Sequence, residues 1–226
     1  MKENGKYWQY IFFAVLLAEL IAVALNWQSV QWITKPLLVA VLFTWFIYFS
    51  PRKKPLRIYI AAALCFSWLG DVFLLMDSRQ PLWFMTGLAS FLLAHILYIL
   101  FFLKTRKKQT AAKPWNIAII IAIAFYVGLL LALLLPHTGA LKIPVVVYAL
   151  TIGTMLATAL HAFSKQWKQT AFNCSLGAAL FVVSDSLLAI NKFYQPFAGA
   201  GVLIMLSYGL AQFAITKGCL QYLAGE

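Results

Sequence analysis

Residues 115–135 read WNIAIIIAIAFYVGLLLALLL, 21 positions without one charged side chain. A helix rises about 1.5 Å per residue, so ~20 apolar residues cross a hydrocarbon layer about 30 Å thick. The stretch shows no strand-like alternation and would be apolar on every face, as a lipid-exposed helix must be. Working outward, comparable apolar runs occur at about 7–26, 32–49, 56–76, 82–103, 143–163, 171–190 and 198–217. Ser50-Pro51, Gln80-Pro81, Lys113-Pro114, Pro136-His137 and Gln195-Pro196 separate them, and such pairs end helices. The expected fold is all-α: a polytopic membrane bundle of eight transmembrane helices, with residues 1–226 forming a single transmembrane domain.

Composition agrees. Of the 226 residues 63% are apolar and 11% charged, against about 25% charged in a soluble domain. Eight spans leave no room for a separate soluble domain, so chemistry must sit in the bundle or at its mouth. The net charge of +12 comes as short clusters between apolar runs, without a basic stripe interleaved with aromatics. It therefore reads as a topology signal that also touches anionic headgroups, and no nucleic-acid partner is expected. Cys65, Cys174 and Cys219 are isolated, so neither a disulfide framework nor a zinc site is indicated. Lys2 and Lys6 precede an apolar run ending in Ala22-Val23-Ala24, as in a secretory signal. Glu19 interrupts that run, and its length suits a retained first span.

Placing the N-terminus inside puts Lys2, Lys6, Arg52, Lys53, Lys54, Arg57, Lys104, Arg106, Lys107, Lys108, Lys113, Lys165, Lys168 and Lys217 on the inner side. Lys35, Arg79, Lys142 and Lys192 fall outside, a split of fourteen to four. Basic residues favour the cytoplasmic side, so both termini are expected in the cytoplasm.

The chain also hints at duplication. SWLGDVFLLMDSRQPLWF at 67–84 and FVVSDSLLAINKFYQPF at 181–197 each place an Asp near the outer end of an outward-running helix. A Gln-Pro pair follows nine residues after Asp71 and ten after Asp185, and Lys35-Pro36 and Lys142 with Pro144 open the second and sixth spans. Helices n and n+4 share orientation, which suits a parallel four-plus-four repeat.

Ionisable groups at membrane depth are costly, about 2.5–3.5 kcal/mol at a helix centre, and usually face the bundle interior. The set is Glu19, Asp71, His95, His161 and Asp185, with Lys35 and Lys192 at outer helix ends. A pseudo-twofold axis would bring Asp71 and Asp185 to one central site, where two interacting carboxylates can divide into an acid and a base. Ser67, one turn before Asp71, and Ser184 and Ser186 around Asp185 are candidates to hold those carboxylates. His95 with Tyr98, Tyr148 with Thr151, and Tyr208 with Gln212 form polar faces on the fourth, sixth and eighth helices. Each pair alone is ordinary interhelical glue; together they describe a polar-lined interior. Glu19 is a secondary candidate for the site, and His161 an interfacial residue. Lys35 and Lys192 either snorkel to the interface or clamp a phosphate headgroup. No His-Glu-x-x-His, Gly-x-Ser-x-Gly or phosphate-cradling glycine loop is present. A small proton-coupled transporter of lipids or organic cations, a lipid-binding scaffold and a metal-dependent membrane hydrolase are the alternative readings.

SWLGDVFLL, then Gly87, Phe91 and His95-x-x-Tyr98, then LGAALFVVSDSLLAINKF and Ser207-Tyr208-Gly209-Leu210-Ala211-Gln212, with Thr34-Lys35-Pro36 upstream, resemble the YhhN-like lysoplasmalogenase family along nearly the whole chain. The resemblance implies an eight-span enzyme of the bacterial inner membrane that hydrolyses the vinyl ether bond of lysoplasmalogens. The products would be a fatty aldehyde and glycerophosphoethanolamine or glycerophosphocholine. On that footing the substrate is a lysophospholipid drawn from the membrane, and no cofactor or metal is needed. Asp71 and Asp185 would be catalytic, while Lys35, His95, Tyr98, Tyr148, Lys192, Tyr208, Gln212 and Glu19 would contact substrate.

Overall fold

A computed structural model of the chain describes residues 4–76, 81–109 and 114–225. Lys2, Arg79, Gln80 and Lys113, which enter the charge and breaker readings, lie outside the described residues. Those described form eight helices long and apolar enough to cross a membrane. They are α1 (Asn4–Ala24), α2 (Gln28–Phe49), α3 (Arg57–Leu75), α4 (Pro81–Lys107), α5 (Ile117–Leu134), α6 (Lys142–His161), α7 (Lys168–Ala189) and α8 (Ala200–Ala224). The protein is a multi-pass membrane helical bundle.

Three boundaries differ from the sequence reading. Helix α2 begins at Gln28, because Asn26 adopts a left-handed φ of 55° and the chain reverses between Ala24 and Gln28. Asn tolerates that conformation better than most residues. Pro36 consequently lies inside α2 rather than opening it. Helix α4 runs on to Lys107, past the apolar run, where the Lys104 ammonium sits 4.8 Å from the Tyr59 ring centre. Helix α8 continues to Ala224 and stops at Gly225, whose φ of 82° suits a glycine cap.

Small residues set the closest helix pairs. A Cβ added at Gly177 of α7 would lie 2.8 Å from Ala211 O and 2.7 Å from Ile215 N of α8, and Gly218 of α8 meets the Cys174 backbone in the same way. Gly70 of α3 lies under the Phe91 ring of α4. Without a hydrophobic drive between helices in lipid, such backbone approach is how they bind each other.

The packing has an internal rhyme. Helix α3 packs on α4 as α7 does on α8, and α4 on α6 as α8 does on α2. Each pair maps to its partner by a shift of four helices, the pattern a parallel duplication produces. The halves differ at one place. Helix α1 seats on α8, with Leu16 and Val23 facing the side-chain-free spots at Gly209 and Gly201. Its counterpart α5 packs chiefly on α6 and buries Val127 and Leu134, while Ile117, Ile121, Phe125 and Leu129 face outward. The space that α1 closes in one half is open in the other.

Candidate active site

The open space is an apolar pocket among α4, α5, α6 and α7. Phe84, Leu88, Leu130, Leu134, Val145 and Phe193 supply much of its apolar wall, and its polar end carries Asp185, Tyr148 and Ser186. Burying a carboxylate here requires partners. The Tyr148 hydroxyl donates to Asp185 Oδ2 at 2.7 Å, and His95 Nε2 lies 3.9 Å from the same oxygen. Asp185 keeps 14% of its side chain exposed, whereas His95 keeps 1%. The His95 ring is wedged edge-on against Tyr148, 5.5 Å away, and Phe181, 5.2 Å away. Past Asp185, α7 widens into a π-helical turn, Ile190–Tyr194, a feature frequent at functional sites. That turn places Phe193 in the cavity wall and the Lys192 ammonium 4.6 Å from the Phe84 ring centre.

Asp71 belongs to a second polar cluster. It is 1% exposed and accepts a 2.6 Å hydrogen bond from the Tyr208 hydroxyl. Gln212 Nε2 donates to that hydroxyl at 3.2 Å, and Tyr98 donates to Gln212 Oε1 at 3.2 Å. Donors thus point along the chain Tyr98, Gln212, Tyr208 and finish on the Asp71 carboxylate. Lys35 and Glu19 lie within electrostatic reach of Asp71, and fully buried Glu19 accepts a short hydrogen bond from Thr34. The rings of Phe91 and Phe181 stand between the clusters: Tyr208 meets Phe91 at 5.7 Å and Phe181 at 5.8 Å.

The clusters are alike in outline. Each Asp sits beside one residue from the opposite half of the chain: Tyr208 of α8 bonds Asp71, and His95 of α4 approaches Asp185. Tyr98 and Gln212, on the same two helices, meet directly.

The ten residues singled out from sequence thus divide. Asp185, His95, Tyr148 and Lys192 gather at the cavity, and Asp71, Tyr208, Gln212, Tyr98, Lys35 and Glu19 gather beside it. No hydrogen bond or ion pair joins Asp71 to Asp185 among the described residues. The serines do other work than expected. Ser67 Oγ has no hydrogen-bond partner, Ser184 donates to Ile204 O, and Ser186 donates to Val182 O while accepting from Tyr126. Thr151 bonds Val147 O of its own helix. His161, at the end of α6, is buried: its Nε2 accepts from Asn116 N and its carbonyl holds Arg106, knotting the α4–α5 connection to α6. Phe84 was not separable in sequence from the chain's other phenylalanines, and the ring contacts of Phe91, Phe181 and Phe193 were not foreseen.

The family model described as the YhhN family matches residues 30–219. Over 169 residues the chain is 31% identical to a Bos taurus protein named lysoplasmalogenase TMEM86A, covering 73% of this chain and 65% of that protein. It is 33% identical over 167 residues to a Mycobacterium tuberculosis protein named lysoplasmalogenase, covering 72% of this chain and 60% of that one. A Homo sapiens protein named lysoplasmalogenase TMEM86B is 30% identical over 200 residues, 87% of this chain and 77% of its own. The chain therefore spans less than two-thirds of the length of the first two. No solved structure matches the chain.

Proposed function

The chain belongs to the YhhN family, and from that premise we propose that it hydrolyses the vinyl ether bond of lysoplasmalogens in the membrane. One observation carries the reading beyond the family name: an acidic side chain held by a tyrosine at the polar end of an apolar pocket. A single-chain ether lipid needs such a place, with greasy walls for its hydrocarbon and one proton-transfer group at the reacting bond.

The chemistry follows from the bond. Protonated Asp185 delivers its proton to the β-carbon of the vinyl ether, leaving an oxocarbenium ion at the carbon that bears oxygen. The new carboxylate, close by, stabilises that cation electrostatically. Water adds to the cationic carbon and gives a proton back to Asp185, forming a hemiacetal and restoring the acid. The hemiacetal hydroxyl then loses its proton as the glycerol oxygen gains one and leaves. The products are a fatty aldehyde and a glycerophospho-alcohol. Tyr148 fixes the carboxyl through its 2.7 Å hydrogen bond. Asp71 is the second carboxylate of the scheme and acts by position, holding Tyr208 against Phe91 and Phe181 at the back of His95. Lys192, at the cavity's outer rim, takes the phosphate, whereas Lys35 balances the charge of Asp71 and Glu19. Both termini face the cytoplasm of a bacterial inner membrane, on the strength of the Lys and Arg bias.

Purified wild-type protein is expected to release aldehyde from a lysoplasmalogen and to leave the ester of the matching acyl lysolipid intact. Ester cleavage without aldehyde release overturns the vinyl ether reading. Proton-coupled uptake of the lipid into proteoliposomes, without product, favours a transporter instead.

A further inference from the structure

The His95 imidazole stands apart within the bundle. It is fully buried, Tyr148 and Phe181 meet its ring in edge-on contacts, and neither Nδ1 nor Nε2 has a hydrogen-bond partner. Burying such a group unpaired is costly, so a buried unpartnered nitrogen marks unused hydrogen-bonding capacity. What it faces is specific: Asp185 Oδ2, 3.9 Å from Nε2, at the polar end of the cavity. That separation is too long for a direct bond. It is the span of two bonds of about 2.8 Å that meet at about 90° on one bridging oxygen. Asp185 Oδ2 already accepts from Tyr148 and has lone-pair capacity for one more donor.

The geometry points to His95 as the residue that holds the attacking water, with the oxygen bracketed between Nε2 and the Asp185 carboxylate. This deepens the vinyl ether reading and rests on it. In the hydration step the water oxygen forms its bond to the oxocarbenium carbon, and one water proton passes to the Asp185 carboxylate, which had just lost its own. Nε2 accepts a hydrogen bond from the other water O–H and aims the oxygen's free lone pair at the carbon. His95 takes no net proton, and every atom of the water is accounted for in the hemiacetal and the restored acid. The other carboxylate sharpens the contrast. Tyr208 bonds Asp71 directly at 2.6 Å, leaving no room for a bridging molecule. One half is closed and the other is spaced for hydrolysis.

The test compares His95→Gln with His95→Asn in the full-length protein, reading aldehyde release from a lysoplasmalogen against concentration. Glutamine extends its amide to where Nε2 stood, and asparagine reaches the Nδ1 position. Both are polar and smaller than histidine. His95→Asn is expected to lose on the order of 100-fold in kcat with KM within about two-fold, as misplacing a reacting group does. His95→Gln is expected to keep at least about ten-fold more kcat than His95→Asn. Equal kcat in the two variants, a wild-type kcat in His95→Asn, or a loss confined to KM overturns the inference. Wild type that releases no aldehyde overturns the vinyl ether reading beneath it. Melting curves of both variants guard the comparison. Should His95→Asn fail to fold, His95→Leu, which removes both ring nitrogens at similar volume, takes its place: a wild-type kcat counts against His95, and one lowered about 100-fold with KM held supports it.

Discussion

A carboxyl group in a lipid-facing bundle is informative in proportion to its cost, which is why Asp71 and Asp185 stand out in the sequence. The partners that stabilise them are another matter. Ser67 shares a helix face with Asp71, yet Tyr208, 137 positions away, provides the hydrogen bond. Helical periodicity reports neighbours on one helix and is silent about the helix across the gap. Tyr148 was visible as a polar face, but its bond to Asp185 depends on α6 leaning against α7. The local prediction is direct. Tyr148→Phe keeps the ring against His95 and removes the donor to Asp185, so kcat for aldehyde release should fall about ten-fold or more with the melting temperature little changed. An unaffected kcat would take Tyr148 out of the mechanism.

Among the elements, α7 and α8 form the tightly packed pair and α5 the sparsely packed helix. Both were legible as spans, because a charge-free run such as 115–135 has no other home. Their roles were not, since hydropathy, higher in α5 than in α7, does not report what packs on each helix. Gly177 shows the difference. Its missing Cβ lets the α8 backbone approach, and Gly177→Ala would press a methyl group to 2.8 Å from Ala211 O and 2.7 Å from Ile215 N. Overpacking of this kind costs about 1–3 kcal/mol, so Gly177→Ala should lower the melting temperature by several degrees and reduce activity by shifting Asp185. Gly128 of α5 has nothing within 4 Å of a built Cβ, and Gly128→Ala should match or exceed wild-type stability. Equal melting points for the two variants would contradict this division of labour.

At the scale of the whole molecule, the fold follows from two patterns that were readable in advance: eight apolar runs and basic residues gathered in alternate loops. The Asp-to-Gln-Pro spacing suggested a duplication, and the helix packing follows the pattern that one produces. What no linear pattern conveyed is the break in that symmetry, with α1 sealed on α8 and α5 standing off to leave the cavity at Asp185. Orientation is open to a separate check. A fluorescent protein fused after Glu226 should fold and glow in the cytoplasm, and alkaline phosphatase inserted at Thr138 should be active outside. The reverse pattern would invert the bundle. The account as a whole rests on Asp185 as the group that moves the proton. Asp185→Asn, folded and of wild-type melting temperature, should release aldehyde from a lysoplasmalogen at least about 100-fold more slowly than wild type. Turnover within a few-fold of wild type would contradict it.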